Sequence, residues 1–335
     1  LRQLITASRA IIDDATEGAE DTSLILDAAE QRLFDIRSDE NSKGLERINS
    51  VILQTFDRLD DLNSERDSNT RAIPTGIGDL DRMITGLNRS DLIILAARPG
   101  MGKTSFALNI ATNVAKKAKI PVAVFSLEMS REQLASRLMS IESFVDGQKM
   151  ATGKLTEEEW TKLGMASAAL SQTDIRIDDN PSITVAEMNA KCRRVENLGL
   201  VVIDYLGLMK SAKQKENRVQ EVSDITRTLK IMAKELKVPV IACAQLSRGT
   251  ETKGKSHKPA LSDLRESGSI EQDADIVLFL YRETYYDNER DDSEEKGDPN
   301  KAECLVAKNR HGEVGTVELY WDGQFTRFSS VDVFR

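Results

Sequence analysis

Cysteine and histidine are scarce in this 335-residue chain. The three cysteines, Cys192, Cys243 and Cys304, cannot all pair within one chain, and two of them fall in apolar runs. That pattern predicts reduced thiols and argues against a disulfide-stapled scaffold. With only His257 and His311, and no Cys-x-x-Cys, the ligands of a structural zinc site are missing. No apolar run nears the roughly 18 residues of a membrane span. The best runs, Leu200–Met209 and Ile276–Tyr281, have strand length, and Asp204 interrupts the first. No signal-peptide pattern opens the chain, which begins at Leu1 rather than Met. The expectation is a cytoplasmic protein with no membrane partner, present as a piece of something longer. No repeat of 20–50 residues is visible.

A dominant charge of one sign is also missing from most of the chain. The net charge is −9, but residues 1–70 hold 8 Lys/Arg against 16 Asp/Glu, and the rest hold 38 against 39. Global charge gives no argument for nucleic-acid binding, so any such binding must come from local basic loops. Hydrophobic residues are 40% and charged residues 30%, the composition of an ordinary globular protein.

Within residues 1–43 two apolar stripes predict helices: Leu4, Ile5, Ile11 and Ile12, then Leu24, Leu26, Ala29, Leu33 and Phe34, with a turn around Gly18 and Asp21–Ser23. Two such helices bury too little to stand alone. After a break at Ser42–Gly44, Leu45, Ile48, Ile52, Phe56 and Leu59 form a one-sided stripe, and the polar stretch Asn63–Thr70 reads as a flexible linker. That helix docks either on its own domain or on a neighbouring subunit.

From Pro74 the pattern alternates. Strands are predicted at Leu92–Ala97, Val122–Leu127, Leu200–Ile203, Val238–Cys243, Ile276–Leu280, Glu303–Ala307 and Thr316–Tyr320. Helices are predicted at Lys103–Lys119, Arg131–Ile141, Thr184–Asn197 (opened by a Thr184/Glu187 capping box) and Val219–Leu236. Short apolar strands alternating with helices mean an α/β fold with a mostly parallel sheet covered on both faces. The late strands lack long intervening helices, so that edge is expected to be antiparallel. Two loops stand out by composition, the basic Lys210–Arg218 and the mostly acidic Tyr285–Asn300, to which no function is given.

Leu92–Thr104 reads LIILAARPGMGKT, a strand running into a Gly-containing turn and then a helix opened by Gly-Lys-Thr. This is the context of a P-loop, whose backbone N–H groups and helix N-terminus cradle phosphate. The candidate phosphate-binding residues are Arg98, Pro99, Gly100, Met101, Gly102, Lys103, Thr104 and Ser105. Lys103 suits the β- and γ-phosphates, and the Thr104 hydroxyl suits Mg²⁺. The first glycine of the regular motif is replaced by Ala97. Leu200–Asp204 is a buried strand ending in a carboxylate, the place where Mg²⁺ is held in such folds; a turn or helix-capping Asp is the competing role. Val122–Glu128 ends in Glu128, a general base for the attacking water or else a cap on the next helix. Val238–Gln245 ends in Gln245, a sensor of ATP against ADP or else an ordinary loop glutamine.

Four such strand ends in this order match the RecA-like ATPases. The blocks PTGIGDL, ARPGMGKTSFALNIA, FSLEMS, VVIDYLGLM, ACAQLSR, LSDLRESGSIEQDAD and AKNRHG narrow the match further. Together they cover Ile73–Phe328 and resemble the DnaB family of replicative DNA helicases, whose own P-loop variant begins with alanine. The resemblance implies a RecA-like core at 71–335, a linker helix and linker at 44–70, and at 1–43 the tail of an otherwise missing N-terminal helical domain. It implies a homo-hexamer that encircles single-stranded DNA and moves 5′ to 3′ with ATP and Mg²⁺, with primase and a helicase loader as partners. Carried over, Glu128 is the base, Asp204 the metal-shell carboxylate and Gln245 the sensor. Lys308 and Arg310 resemble the finger residues that reach a neighbour's γ-phosphate, and Arg265, Glu266 and Gly268 the loop on the DNA backbone. The competing classes are a RecA-like recombinase, a partner-binding regulatory ATPase without unwinding, and a small-molecule kinase. A recombinase requires a polymerisation strand where a linker helix stands here. A kinase requires an Arg-rich lid that is not apparent.

Overall fold

The computed structural model describes residues 2–17, 25, 26, 28–30, 32, 47–64, 72–209, 218–246, 258–264, 268–285 and 298–331. They fall into two compact units, Leu1–Arg71 and Ala72–Arg335.

In the smaller unit, α1 (Arg2–Glu17) carries the first apolar stripe, and α2 (Ile48–Ser64) carries the second helix stripe. Ile48, Ile52, Phe56 and Leu59 are all exposed on α2. Leu45, the break at Ser42–Gly44, the turn at Gly18 and Asp21–Ser23, and most of the Leu24–Phe34 stripe lie outside the described residues. Asn63 and Ser64, expected in the linker, instead end α2, and the rest of that stretch, residues 65–70, lies outside the described residues. Polar residues are tolerated at that helix end because last-turn N–H groups still bond back to carbonyls one turn earlier.

The larger unit begins with a bridge between Ile73 and Leu87 around α3 (Gly78–Ile84). It continues as β1 (Leu92–Ala97), α4 (Lys103–Asn113), β2 (Val122–Ser126), α5 (Arg131–Ser143), α6 (Gly147–Thr152), α7 (Glu157–Ser171), β3 (Ile175–Asp178) and α8 (Val185–Arg193). Then follow β4 (Leu200–Asp204), α9 (Arg218–Leu236), β5 (Val240–Gln245), α10 (Gly268–Asp273), β6 (Ile276–Tyr281), β7 (Lys301–Asn309), β8 (Gly315–Asp322) and β9 (Arg327–Ser330). The sheet order is β3-β2-β4-β5-β1-β6-β7-β8-β9. Pairings from β3 across to β6 are parallel, and those from β6 to β9 antiparallel.

The period of two along β1 explains the layers. Ile93, Leu95 and Ala97 join Phe106 and Leu108 of α4 in one core, while Leu92, Ile94 and Ala96 join Leu229 and Met232 of α9 in the other. Both faces of the strand are covered, so it reads as an unbroken apolar run.

Several expected boundaries shift. The helix from Lys103 is α-helical to Asn113, then widens into a π turn over Val114–Ala118. The Thr184/Glu187 capping box is present, but that helix ends at Arg193. β2 stops at Ser126, one residue before the expected Leu127. β5 starts at Val240 rather than Val238, because Pro239 has no N–H to give the ladder and Val238 N bonds back to Ala233 O.

Candidate functional site

The register of the sheet gathers the expected strand ends along one edge. β5 pairs with β1 so that Gln245 lies opposite Ala97, the last residue before the phosphate loop. β4 lies on the far side of β5, and β2 beyond it, with Ser126 opposite Asp204. Lys103, Thr104, Glu128, Asp204 and Gln245 therefore come from four adjacent parallel strand ends.

The turn from β1 into α4 depends on two glycines with positive φ, Gly100 at 77° and Gly102 at 96°. A Cβ on Gly102 would also come within 2.9 Å of the Phe328 ring. Met101 N bonds to Arg98 O at 3.3 Å, closing the turn, and Arg98 Nη1 donates to Leu246 O at 3.0 Å. Ala97 ends β1 with its backbone already in the ladder, so the absent first glycine leaves the strand–turn–helix path intact. Pro99 and Ser105 take their places in the turn and the first helical turn, Ser105 buried.

Thr104 Oγ1 donates to Asp204 Oδ2 at 2.6 Å. Lys103 Nζ lies 3.9 Å from Asp204 Oδ1. Asp204 is 3% exposed, and its Oδ1 has no hydrogen bond. A buried carboxylate oxygen left over, next to a hydroxyl on a helix start, is a pair of hard oxygen donors that fits Mg²⁺. Among the described residues no cluster of three or more His, Cys, Asp or Glu could hold a metal, so other oxygens around such an ion would come from phosphate and water. Cys243 is buried, and burial followed by the nearby Asp204 charge pushes its thiol well above the ordinary value.

Glu128 is exposed two residues past β2, and Leu127 N bonds to Asp204 O at 2.7 Å. The helix-capping role for Glu128 is excluded, because Ser130 caps α5 in a capping box with Gln133. Gln245 is exposed at the end of β5. Beside it a cleft of about 640 Å³ is lined by Arg98, Tyr205, Arg218, Gln245 and Tyr285. Tyr205 is a site residue that the sequence reading missed. Its ring centroid lies 4.4 Å from Lys103 Nζ. Burial, then the charges of Glu128 and Asp204, raise its phenol. The only signal in the sequence was an aromatic residue directly after a strand-end carboxylate.

Lys308 and Arg310 are placed elsewhere. β7 pairs with β6 so that Asn309 lies opposite Ile276, at the start of β6 and the sheet edge opposite the phosphate loop. Lys308 Nζ donates to Glu271 O and, at 2.7 Å, to Ala274 O. Arg310 donates to Gln272 O at 2.5 Å and pairs with Asp275 at 3.3 Å. Both cations thus cap the C-terminus of α10, whose first residue is Gly268. Arg265 and Glu266 lie outside the described residues, as do 210–217 and 286–297. Arg218 belongs to α9 rather than to a free basic loop, and its guanidinium holds the carbonyls of Met209 and Gly207.

Residues 72–330 match the family model of the DnaB-like helicase C-terminal domain. The chain is 48% identical over 336 residues to the replicative DNA helicase DnaB of Geobacillus stearothermophilus, covering 99% of this chain and 72% of that protein. It is 42% identical to the DnaB of Haemophilus influenzae over 341 residues, covering 99% and 71%. Among solved structures, a separately solved ATPase domain is similar with a TM-score of 0.77 and 37% identity, covering 86% of this chain and 100% of that one. A DnaB-like replicative helicase described with its interactions with primase is similar with a TM-score of 0.83 and 34% identity, covering 99% and 76%.

Proposed function

The chain belongs to the DnaB-like family of replicative helicases, and on that premise we propose how its residues share the work. It is a replicative DNA helicase, a nucleotide-driven enzyme. The nucleotide is ATP with Mg²⁺. The backbone of Arg98–Ser105 cradles the phosphates, Lys103 pairs with the β- and γ-oxygens, and Thr104 and Asp204 hold the metal. Bound there, Mg²⁺ neutralises charge on the transferred phosphoryl group. Glu128 takes the proton of the attacking water, and Gln245, in the lining of the adjacent cleft, registers the γ-phosphate.

Lys308 and Arg310 act on a neighbour's nucleotide, which requires assembly; we read it as a hexameric ring. Cations in that place are worth on the order of 10³-fold or more in rate. Arg265, Glu266 and Gly268 follow the backbone of single-stranded DNA, 5′ to 3′. Backbone contact suits a motor that must pass any sequence. Primase and a helicase loader are its partners, and the cytoplasm its compartment.

The observation that carries the nucleotide reading is Asp204, buried, held by Thr104 on one oxygen and left without a hydrogen bond on the other beside Lys103. The test is ATP hydrolysis with and without oligo-dT, run beside sizing. The expected result is a hexamer whose turnover rises with DNA. Turnover indifferent to DNA, or full turnover by a monomer, would refute it.

A further inference from the structure

None of the roles above includes the side chain on which the phosphate lysine rests. Lys103 Nζ is 4.4 Å from the Tyr205 ring centroid and 3.9 Å from Asp204 Oδ1, neither a hydrogen bond. Its side chain is 11% exposed. A nearly buried ammonium is thus held by one carboxylate at a distance and by the negative face of an aromatic ring.

The next segment packs against the same ring, at its Cε2 and Cδ2 atoms. A Cβ on Gly207 would come within 2.5 Å of Tyr205 Cε2, so a glycine lets the turn Leu206–Leu208 lie against the ring. Arg218 ties the turn down by donating to Gly207 O at 2.8 Å, Met209 O at 3.0 Å and Leu206 O at 3.4 Å. The turn leads into the basic stretch Lys210–Arg218 of the sequence. Tyr205 also borders the cleft that holds Gln245.

We infer that Tyr205 is a positioning residue for Lys103, the joint through which movement of the Leu206–Met209 turn reaches the phosphate lysine. When Lys103 turns to a phosphate, the ring loses its cation and the turn packed against it is released. When DNA shifts the turn, the ring tilts and Lys103 is re-aimed. The joint acts by its aromatic face, so the phenol oxygen is dispensable. This inference rests on Lys103 being the ATP lysine. Lys103→Ala tests that premise separately, because a variant that still binds and hydrolyses ATP would remove the premise whatever Tyr205 does.

The test compares Tyr205→Phe, Tyr205→Leu and Gly207→Ala with the unaltered chain. The measurements are ATP turnover with and without oligo-dT, KM, fluorescent-nucleotide binding and sizing. Tyr205→Phe should keep its DNA stimulation within about twofold. Tyr205→Leu and Gly207→Ala should lower the stimulation ratio at least about fivefold while nucleotide affinity stays within about threefold. A ring-deleted variant with normal stimulation overturns the inference. So does a Phe variant as impaired as Leu, since the hydroxyl and not the face would then matter. If Tyr205→Leu does not fold, Gly207→Ala decides, and unchanged stimulation there refutes the joint.

Discussion

Glu128 and Asp204 differ in surroundings as their proposed roles differ. Asp204 is buried and bonded to Thr104, whereas Glu128 is exposed. Glu128→Gln keeps the shape and removes the proton acceptor. It should leave ATP binding near normal and lower turnover by about 10² or more. Near-normal turnover, measured by phosphate release, would take Glu128 out of the mechanism. The three thiols give a plainer test. Burial pushes Cys192 and Cys304 up to about 12 and Cys243 well above the ordinary value, so almost no thiolate exists at neutral pH. Native protein should resist maleimide for hours and label at all three positions once unfolded; fast native labelling would mean that the interior opens. Lys103 and Thr104 were legible in the sequence because strand, turn and helix are consecutive there. Tyr205 was not, because its partner is a hundred residues away and only the β1–β5–β4 order brings the two together.

Among the elements, α10 joins two proposed roles. Its first residue, Gly268, belongs to the proposed DNA loop, and its last carbonyls are held by Lys308 and Arg310. Burial, then the neighbouring Arg310 charge, lower the Lys308 ammonium's pKa. The sign follows: a group with a depressed folded pKa stabilises the fold above its ordinary value, and that contribution is lost as pH falls through the folded pKa. That loss belongs to the alkaline range below the ordinary lysine value, where the site disfavours the charge relative to water. Lys308→Ala leaves the Ala274 carbonyl without this donor, a loss of about 1–3 kcal/mol for a buried group. Amide exchange over residues 268–275 should quicken in the nucleotide-free protein, and turnover of the assembled protein should fall. Unchanged exchange would mean that α10 does not depend on this cap. The long helices and central strands were legible by period. α7 was missed although Thr156 and Glu159 form a capping box, since its apolar residues are spread around the helix and only Leu163 and Ala166 are buried. β3 was missed because four edge residues, Ile175–Asp178, none of them buried, make too short an alternation to stand out.

For the whole molecule, the larger unit folds around its own two cores, whereas the smaller unit leaves apolar side chains uncovered. On α2, Ile48, Ile52, Phe56 and Leu59 are between 44% and 68% exposed. Fully burying each would contribute about 1.5–3 kcal/mol before ordering costs. A helix that gains so much from a partner surface is suited to hold subunits together. In the proposed ring it docks on an adjacent copy, with the following polar stretch as tether. The stripe was legible from spacing alone, but its destination was not, because periodicity says which face is apolar and never what covers it. The prediction is that Ile52→Glu with Phe56→Glu, or deletion of residues 1–62, lowers hexamer stability in sizing while each subunit keeps its thermal unfolding transition. DNA-stimulated turnover should fall in parallel, since Lys308 and Arg310, at the sheet edge opposite their own phosphate loop, would have no neighbour's nucleotide to meet. Variants that unfold as monomers would place α2 on its own chain. Variants that stay hexameric at equal concentration would show that the ring is held by other contacts, and either outcome ends the exchanged-helix reading.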